Sequence, residues 1–199
     1  MAVIPEDERE FAILQIIPPL FRNARIEHLP MKLQERLKGL PENRGMLLWG
    51  GAGVGKSYTL CALVREFILQ GYTVARTGYE MLCLRLRDSF KAKSPNTELS
   101  LIIPYLTVDK LIIEDVGTTK SEGNIESDFS VRTLLVLIDY RLENELPTFI
   151  TTNRPVEELA KTFDARISSR LLQACDIIKL SGRDRREIDK YRPEIKDKL

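Results

Sequence analysis

Hydrophobic residues along this chain fall into two alternating patterns. Short continuous apolar runs are typical of buried strands, whereas apolar residues that recur every three or four positions lie on one face of a helix. After residue 44 the two patterns alternate until the apolar sequence ends near residue 180. Because strands that alternate with helices usually pair in parallel, the pattern predicts an α/β fold with helices on both faces of a parallel sheet.

Strand and helix bounds follow from the same pattern. The predicted strands are Met46–Trp49, Tyr72–Ala75, Lys110–Glu114, Thr148–Thr152 and Asp176–Leu180. The predicted helices that follow them are Lys56–Gln70, Tyr79–Phe90, Leu99–Leu106, Phe129–Glu145, Pro155–Lys161 and Ala165–Leu172. Residues 1–44 carry two shorter helical patterns and are expected to form an N-terminal lead-in segment. Residues 45–199 are then the α/β core with a charged C-terminal tail.

Composition and charge exclude few functions. Apolar residues make up 43% of the 199-residue chain and charged residues 30%, as in an ordinary globular protein. No apolar run approaches the roughly eighteen residues of a membrane span, and the acidic start does not resemble a secretory signal. We therefore expect a cytoplasmic protein that does not bind membranes. The formal net charge of +1 leaves nucleic-acid binding open, because a basic face can be balanced elsewhere.

Cysteine and histidine usage argues against a disulfide or zinc framework. The three cysteines, Cys61, Cys83 and Cys175, are far apart and include no C-x-x-C pair. This spacing favours buried thiols in a reducing compartment. The single histidine, His28, has no second metal ligand nearby, so no structural zinc site is expected.

A glycine-rich segment after the first predicted strand fits the phosphate-binding pattern G-x-x-x-x-G-K-[ST]. It reads Gly50-Gly51-Ala52-Gly53-Val54-Gly55-Lys56-Ser57. Glycines let the backbone wrap a phosphate with its N–H groups pointing inward, and the next helix adds its positive end. We expect Lys56 to contact the β- and γ-phosphates and the Ser57 hydroxyl to ligate Mg²⁺. Tyr58, the next residue, is included in the predicted nucleotide-binding set. The alternative interpretation of the whole segment is a glycine turn that binds nothing.

Two adjacent carboxylates end the third predicted strand, which reads Leu111-Ile112-Ile113-Glu114-Asp115. Ligands of open α/β sheets bind at the carboxyl ends of the strands, where a buried strand has no structural use for paired charges. One carboxylate can hold Mg²⁺ through its waters, and the other can polarise the attacking water. Glu114 and Asp115 are therefore candidate metal-binding and catalytic residues; the alternative is the solvated start of a loop.

Asn153 and two arginines complete the candidate site. Asn153 follows the fourth predicted strand and offers a neutral donor and acceptor beside a γ-phosphate, although asparagine also begins many turns. Arg166 and Arg170 are four residues apart and so share one helix face. Such a face can cover the γ-phosphate of a neighbouring subunit as an arginine finger, or it can be a solvated basic face.

In their order along the chain, these segments resemble the AAA+ ATPases, and among them the DnaC/IstB-like group of bacterial helicase loaders and transposition helper ATPases. Gly50–Ser57 resembles the Walker A loop of the group, Leu111–Asp115 its Walker B strand, and Asn153 its sensor I. The sequence from Arg166 to Arg170 resembles the R-x-x-S-R box that carries the arginine finger, which favours Arg170 over Arg166. Further similar segments are Ile17–Ala24, Gly117, Ile138–Arg141, Arg154-Pro155 and Leu180–Arg186.

The resemblance covers roughly residues 15–190 and implies both a fold and an activity. The implied fold is a P-loop NTPase of the AAA+ type with a five-stranded parallel sheet in the order 5-1-4-3-2 and no separate helical lid. The implied activity is ATP hydrolysis with ATP and Mg²⁺ as cofactors, slow and stimulated by oligomerisation or DNA. The implied partners are further copies of the chain, with Arg170 acting in trans, and a replicative helicase or a transposase.

The sequence departs from the group in two places. The group normally has Asp first and then Asp or Glu in Walker B, whereas Glu114 comes first here and Asp115 second. A carboxylate remains at each position, but the assignment of roles is open. Members of the group also usually carry a sizeable partner-binding domain before the ATPase core, and only about forty residues precede the first strand here. Either that domain is absent, or the partner binds another surface.

A basic stretch around the second predicted strand and its helix is a candidate DNA surface. Its residues are Arg76, Arg85, Arg87, Lys91 and Lys93. In related initiators and loaders this region faces the axis of a helical assembly and holds single-stranded DNA. A basic track is enough for salt-sensitive phosphate contact, so single- or double-stranded DNA is an expected partner. The alternative is a solvated helix face.

Two other functions fit parts of the sequence. A P-loop kinase for a small molecule would need an acceptor pocket and an arginine-bearing lid, and the sequence indicates neither. An ATP-dependent assembly switch that hardly hydrolyses would fit a catalytically weak Glu114–Asp115 pair.

Overall fold

A five-stranded parallel sheet forms the centre of the computed structural model, which describes residues 3–91, 95–118 and 126–185. Its strands are β1 (Gly45–Trp49), β2 (Val74–Gly78), β3 (Lys110–Glu114), β4 (Thr148–Thr152) and β5 (Cys175–Lys179). They are ordered β2-β3-β4-β1-β5, and every neighbouring pair is parallel. Counted from the opposite edge this is 5-1-4-3-2, so the predicted fold is confirmed.

Eight α-helices surround the sheet in the described part of the chain. They are α1 (Arg9–Ile16), α2 (Met31–Lys38), α3 (Lys56–Leu69), α4 (Tyr79–Asp88), α5 (Glu98–Thr107), α6 (Asp128–Glu143), α7 (Val156–Thr162) and α8 (Ala165–Ala174). None of them is long and apolar enough to cross a membrane. Most of the predicted charged tail lies in residues 186–199, outside the described residues, and the absence of a separate helical lid stays a prediction.

The second strand is displaced from its prediction. The sequence pattern places it at Tyr72–Ala75, whereas β2 runs from Val74 to Gly78. Thr73 precedes the strand because its N–H and its hydroxyl both donate to the Asp109 carboxylate, at 2.9 and 2.7 Å. The strand then continues through Arg76, because that guanidinium finds a carboxylate on β3, the strand that pairs with β2. The charge of Arg76 therefore does not end β2. The predicted bounds of the second strand were wrong at both its start and its end.

The sheet separates two hydrophobic cores. Alternate side chains of a strand point to opposite faces, so Met46 and Leu48 of β1 enter one core and Leu47 enters the other. The first core joins the lead-in segment to α3, and the second is built from α4 to α8. The three cysteines are free and buried, as predicted.

The lead-in segment is attached to α3 by Tyr58 as well as by apolar packing. The Tyr58 hydroxyl lies 2.8 Å from Nδ1 of His28 and donates to the carbonyl of Asn23 at 3.3 Å. Tyr58 belongs to the predicted nucleotide-binding set, which stays a prediction, and its hydroxyl reaches the lead-in segment. It thus places that segment beside the first turn of α3.

Arg141 of α6 is fully buried and fixes the alignment of β3 and β4. Its guanidinium donates to five carbonyls and one hydroxyl, those of Tyr105, Leu106, Val108, Asp109, Pro147 and Thr148. Burial lowers the pKa of Arg141 to about 10, while the negative charge of Asp109 acts in the opposite direction. Because these acceptors come just before β3 and at the start of β4, one side chain holds the two strands whose far ends carry the candidate site.

Candidate nucleotide-binding site

The glycine-rich segment connects the end of β1 to the start of α3. Gly53 has φ 68° and Gly55, the residue that caps α3, has φ 105°, a region that side chains with a Cβ adopt at a cost. The first N–H groups of α3 have no partner within the helix, and the helix dipole adds positive potential at this end. The loop therefore has the backbone shape and the polarity of a phosphate-binding site.

Lys56 points back into this loop. Its ammonium donates to the carbonyls of Gly50 and Gly51, at 2.9 and 2.7 Å, and to Oδ1 of Asn153 at 2.6 Å. Only 7% of the residue is exposed. A lysine held this way lies at the loop before any phosphate binds, and it can exchange a carbonyl acceptor for a phosphate oxygen without a large movement.

Asn153 reaches Lys56 because of the strand pairing. In the β1–β4 register Trp49 lies opposite Thr152, so the residues that follow these two strands meet at the same edge of the sheet. Gly50 follows Trp49 and Asn153 follows Thr152. The sheet therefore brings together the predicted phosphate loop and the predicted sensor, which are about a hundred residues apart in sequence.

The two adjacent carboxylates have different environments. Glu114 ends β3 and is 6% exposed, whereas Asp115 is exposed and has φ 58°. The backbone N–H of Asp115 donates to Oγ1 of Thr151 at 3.0 Å, which fixes the turn after the strand. Glu114 thus stays inside the fold, and Asp115 turns toward solvent.

Glu114 forms an ion pair with Arg76 of β2. Arg76 Nη2 lies 2.5 Å from Glu114 Oε1, and the two side chains are 21% and 8% exposed. The alignment is poor for hydrogen bonding, since Arg76 Nε and Glu114 Oε1 are buried without a hydrogen-bond partner in the described structure. Arg76 was predicted to belong to the DNA surface, and the structure contradicts this because its side chain points to Glu114.

Cys61 shows on which side of the sheet this ion pair lies. Burial raises the pKa of the Cys61 thiol to about 12; the charge of Arg76 acts to lower that pKa and the charge of Glu114 to raise it. Cys61 lies on α3 one helical turn after Ser57 and packs in the same core as Ile112 of β3, and Glu114, two residues after Ile112, points to that face of the sheet. Glu114 consequently faces the helix that carries the predicted metal ligand Ser57.

These residues fit Mg²⁺ bound together with a nucleotide rather than by protein alone. No group of three or more His, Cys, Asp or Glu side chains among the described residues is arranged to hold a metal. Mg²⁺ needs few protein ligands when phosphates and waters supply the others, and it prefers oxygen. The Ser57 hydroxyl and the buried carboxylate of Glu114 supply such oxygens. They are the groups that would hold the ion.

The two α8 arginines lie away from these contacts. Arg166 pairs with Asp164, which caps the helix and has its pKa lowered chiefly by hydrogen bonds from Arg166. Arg170 Nε lies 2.8 Å from Oδ1 of Asp139 on α6, and Arg170 Nη1 is 3.5 Å from Gln173. Both arginines are exposed. Neither of them has a bond to the phosphate loop of its own chain in the described structure.

The segment after β5 also lies on the phosphate loop, which sequence reasoning missed. The N–H of Leu180 donates to the Trp49 carbonyl at 2.8 Å, and the N–H of Arg185 donates to the Gly53 carbonyl at 3.1 Å. A methyl group at Gly53 would lie 1.6 Å from Oδ1 of Asp184. The sequence indicated this contact only through the place of the segment directly after the last strand. Because β5 pairs with β1, the residues that follow β5 pass beside the loop that follows β1.

Together, the sheet order, the loop and the residues around it define a P-loop nucleotide-binding protein of the AAA+ fold. Residues 27–192 match the family model described as IstB-like ATP binding protein. Since this match covers most of the chain, the protein belongs to the family of IstB-like ATP binding proteins.

Curated relatives and solved structures agree with this assignment. The chain is 24% identical over 166 residues to the replicative helicase loader DnaC of Escherichia coli K12, covering 78% of this chain and 65% of that one. It is 23% identical over 157 residues to the replicative helicase loader DnaI of Bacillus subtilis 168, covering 73% and 48%. A crystal structure of the DnaC helicase loader superposes with a TM-score of 0.68 at 20% identity, over 82% of this chain and all of that one. The replication initiator DnaA bound to AMPPCP and single-stranded DNA gives 0.67 at 16%, over 90% and 58%.

Proposed function

We propose that this chain hydrolyses ATP and uses the reaction to act on the machinery that handles DNA. The observation that carries the proposal is the contact of Lys56 with Asn153 at the phosphate loop, with the Glu114–Asp115 pair at the same edge of the sheet, on the strand that pairs with β4. Phosphoryl transfer needs little covalent chemistry from a protein, so positioning and charge stabilisation account for most of the catalysis. These residues supply both.

The loop and Lys56 would bind the phosphates. The N–H groups of the loop and of the first turn of α3 would donate hydrogen bonds to the β-phosphate. Lys56 would turn from the Gly50 and Gly51 carbonyls to phosphate oxygens. Asn153 is held by Lys56 and would sense the γ-phosphate through the same contact. Mg²⁺ would supply charge neutralisation between the phosphates.

The different surroundings of the two carboxylates favour different roles. Glu114 is buried and faces α3, so we assign it to the metal side together with Ser57. Asp115 is exposed at the turn, where water can reach it, so we assign it to orienting and polarising the attacking water. With these roles divided, a protein without the Asp115 carboxylate should still bind ATP and the metal. It should hydrolyse ATP poorly, because the attacking water is no longer polarised.

The ion pair between Arg170 and Asp139 supports a site that is completed by a second copy. Arg170 is exposed and reaches α6 of its own chain, and no bond joins it to its own phosphate loop in the described structure. In a head-to-tail assembly an exposed arginine can leave such a pair and reach the γ-phosphate bound by a neighbour. We therefore assign Arg170 to act in trans, with Arg166 kept at the helix start by Asp164.

Helicase loading or transposition assistance is the role that fits the relatives. DnaC and DnaI are replicative helicase loaders, and the chain matches them over most of its own length. DNA would meet the basic face of α4, where Arg85 is exposed and Arg87 lies 5.0 Å above the Phe129 ring, together with the exposed Lys91 just after the helix. Lys93 of the predicted surface is outside the described residues. A replicative helicase or a transposase would be the protein partner.

The direct test is ATP turnover without any phosphate acceptor, with and without single-stranded DNA. The proposal predicts phosphate release that depends on Mg²⁺ and rises with DNA or with protein concentration. Asp115→Asn should abolish it, whereas the matched exposed variant Asp128→Asn should not. Turnover that appears only with a small-molecule acceptor would instead indicate a kinase.

The ion pair of Glu114 with Arg76 also favours a second candidate, an assembly switch that binds ATP but hydrolyses it very slowly. In that case ATP would drive oligomer formation by the parent protein, and Asp115→Asn would change assembly little. Sedimentation with ATP and with ADP, beside the turnover assay, separates the two candidates.

A further inference from the structure

Arg76 is a charged residue in a strand that faces a hydrophobic layer. It lies opposite Ile112 in the β2–β3 register, two residues before Gly78, which lies opposite Glu114. Residues two apart on a strand point to the same face, so Arg76 and Glu114 share the face that packs against α3. A charge in such a place is expensive unless it is paired. Glu114 is the carboxylate that pairs with it.

The pairing leaves hydrogen-bonding capacity unused on both partners. Arg76 Nε is buried without a hydrogen-bond partner in the described structure, and Glu114 Oε1 contacts Arg76 Nη2 at 2.5 Å without hydrogen-bond geometry. The two groups are therefore close enough for strong charge attraction but are not locked by aligned hydrogen bonds. A carboxylate oxygen in this state can accept a second cation or the water of a hydrated cation.

The proposed function places a second cation at this carboxylate, and the present inference rests on that proposal. Glu114 is assigned to the metal side with Ser57, and Arg76 lies on the same face of the sheet, opposite Ile112, which packs in the core with α3. A guanidinium and Mg²⁺ beside one carboxylate repel each other, and in a buried site this repulsion is only weakly screened. The two cations must therefore compete for Glu114.

We propose that Arg76 is a positioning residue for the metal site, which serves as the counter-ion of Glu114 when no metal is bound. It holds the Glu114 carboxylate toward α3 and lowers the affinity of the site for Mg²⁺. Metal loading then requires Arg76 to give up part of its contact with Glu114. Arg76 accordingly stabilises the metal-free protein at the expense of metal binding.

The test compares Arg76→Gln with the parent protein in thermal unfolding and in Mg²⁺ titration. Unfolding is followed in EDTA, in ATP with EDTA, and in ATP with Mg²⁺. The variant should unfold about 4 °C or more below the parent in EDTA, because Glu114 is left buried and unpaired. The concentration of Mg²⁺ that gives half of the ATP-dependent stabilisation should fall by about three- to tenfold, because the competing charge is gone. Arg76→Lys should stay close to the parent in both measurements.

A matched control is Arg132→Gln, which removes an exposed arginine paired with Glu98. It should change neither quantity. Equal destabilisation of Arg76→Gln with and without Mg²⁺, at an unchanged half-saturating Mg²⁺ concentration, would mean that Arg76 is only structural and would overturn the inference. If ATP with Mg²⁺ did not stabilise the parent protein either, the proposed nucleotide site itself would be wrong. Failure of the Arg76 inference can thus be distinguished from failure of the proposed function.

The double variant Arg76→Gln/Glu114→Gln keeps the inference testable if Arg76→Gln does not fold. With both charges removed, no buried charge is left alone, so the double variant should be more stable in EDTA than Arg76→Gln. Losses that simply add up in the double variant would show that the two residues are not coupled and would contradict the inference.

Discussion

The ammonium of Lys56 lies 2.6 Å from the amide oxygen of Asn153. One residue belongs to the phosphate loop and the other follows β4, so this contact joins the part of the site that would bind phosphate to the part that would respond to it. A group that shares a hydrogen bond with the phosphate-binding lysine can report whether that lysine has turned to a phosphate. We therefore propose that this contact connects ATP binding to ATP hydrolysis.

Replacing Asn153 by Ala should separate these two steps. We expect ATP affinity to change by no more than about threefold, because the loop and Lys56 remain, and turnover to fall by about tenfold or more. The control is Asn144→Ala, an exposed amide that donates to the Tyr140 carbonyl far from the loop. Binding of a fluorescent ATP analogue and phosphate release measure the two quantities. Equal losses in both would mean that Asn153 only supports the loop.

Conservative amide variants should distinguish the two carboxylates. Asp115→Asn should bind ATP normally and lose about a hundredfold or more in hydrolysis, because an amide cannot polarise the attacking water. Glu114→Gln should instead raise the Mg²⁺ concentration needed for activity. Mg²⁺ titrations of the two variants under single-turnover conditions measure this. Exchanged phenotypes would show that the roles are reversed while the site itself stands.

Gly53→Ala tests the contact between the phosphate loop and the segment after β5. The added methyl group would meet Asp184 at 1.6 Å and would have to adopt φ 68°, a conformation that costs about 1 kcal/mol or more for alanine. ATP affinity should fall by about fivefold or more, because the loop must return to this conformation to bind phosphate and about 1.4 kcal/mol corresponds to about a tenfold change. Gly39→Ala is the control, since its nearest neighbour would be the Glu35 carbonyl at 3.5 Å. Similar ATP affinities for the two variants would show that the segment does not constrain the loop.

Most of the fold was predictable because it depends on local patterns. The period of the apolar residues located β3 and β4 with the bounds that the structure has, whereas the order of the sheet came from the resemblance to the AAA+ ATPases. The limits of β2 were missed because they depend on Asp109 and Glu114, which are more than thirty residues away. For the same reason no pattern showed that Arg76 is paired inside the fold or that Arg185 lies on the loop.

Arg141 is a second residue whose importance no local pattern indicates, and its loss should destabilise the whole fold. Arg141→Met would leave five carbonyls and one hydroxyl without their donor, and unfolding should require about 3 kcal/mol less free energy, or the fold should fail. The control Arg132→Met removes an exposed ion pair and should cost less than about 1 kcal/mol. Urea unfolding measures both. A loss for Arg141→Met as small as that of the control would contradict the alignment role.

We propose that the complete ATPase site forms between two copies of the chain, and mixing two inactive variants tests this arrangement. Lys56→Ala lacks the phosphate-binding lysine and Arg170→Ala lacks the proposed finger, so each alone should release no phosphate above background. In an equal mixture about a quarter of head-to-tail interfaces pair an intact loop with an intact Arg170, and measurable turnover should return. Lys56→Ala mixed with the double variant Lys56→Ala/Arg170→Ala has no intact loop and should stay inactive. Phosphate release that returns only in the first mixture is the predicted result. If the variants co-assemble by sedimentation and the first mixture remains inactive, Arg170 does not complete a neighbour's site and the account is contradicted.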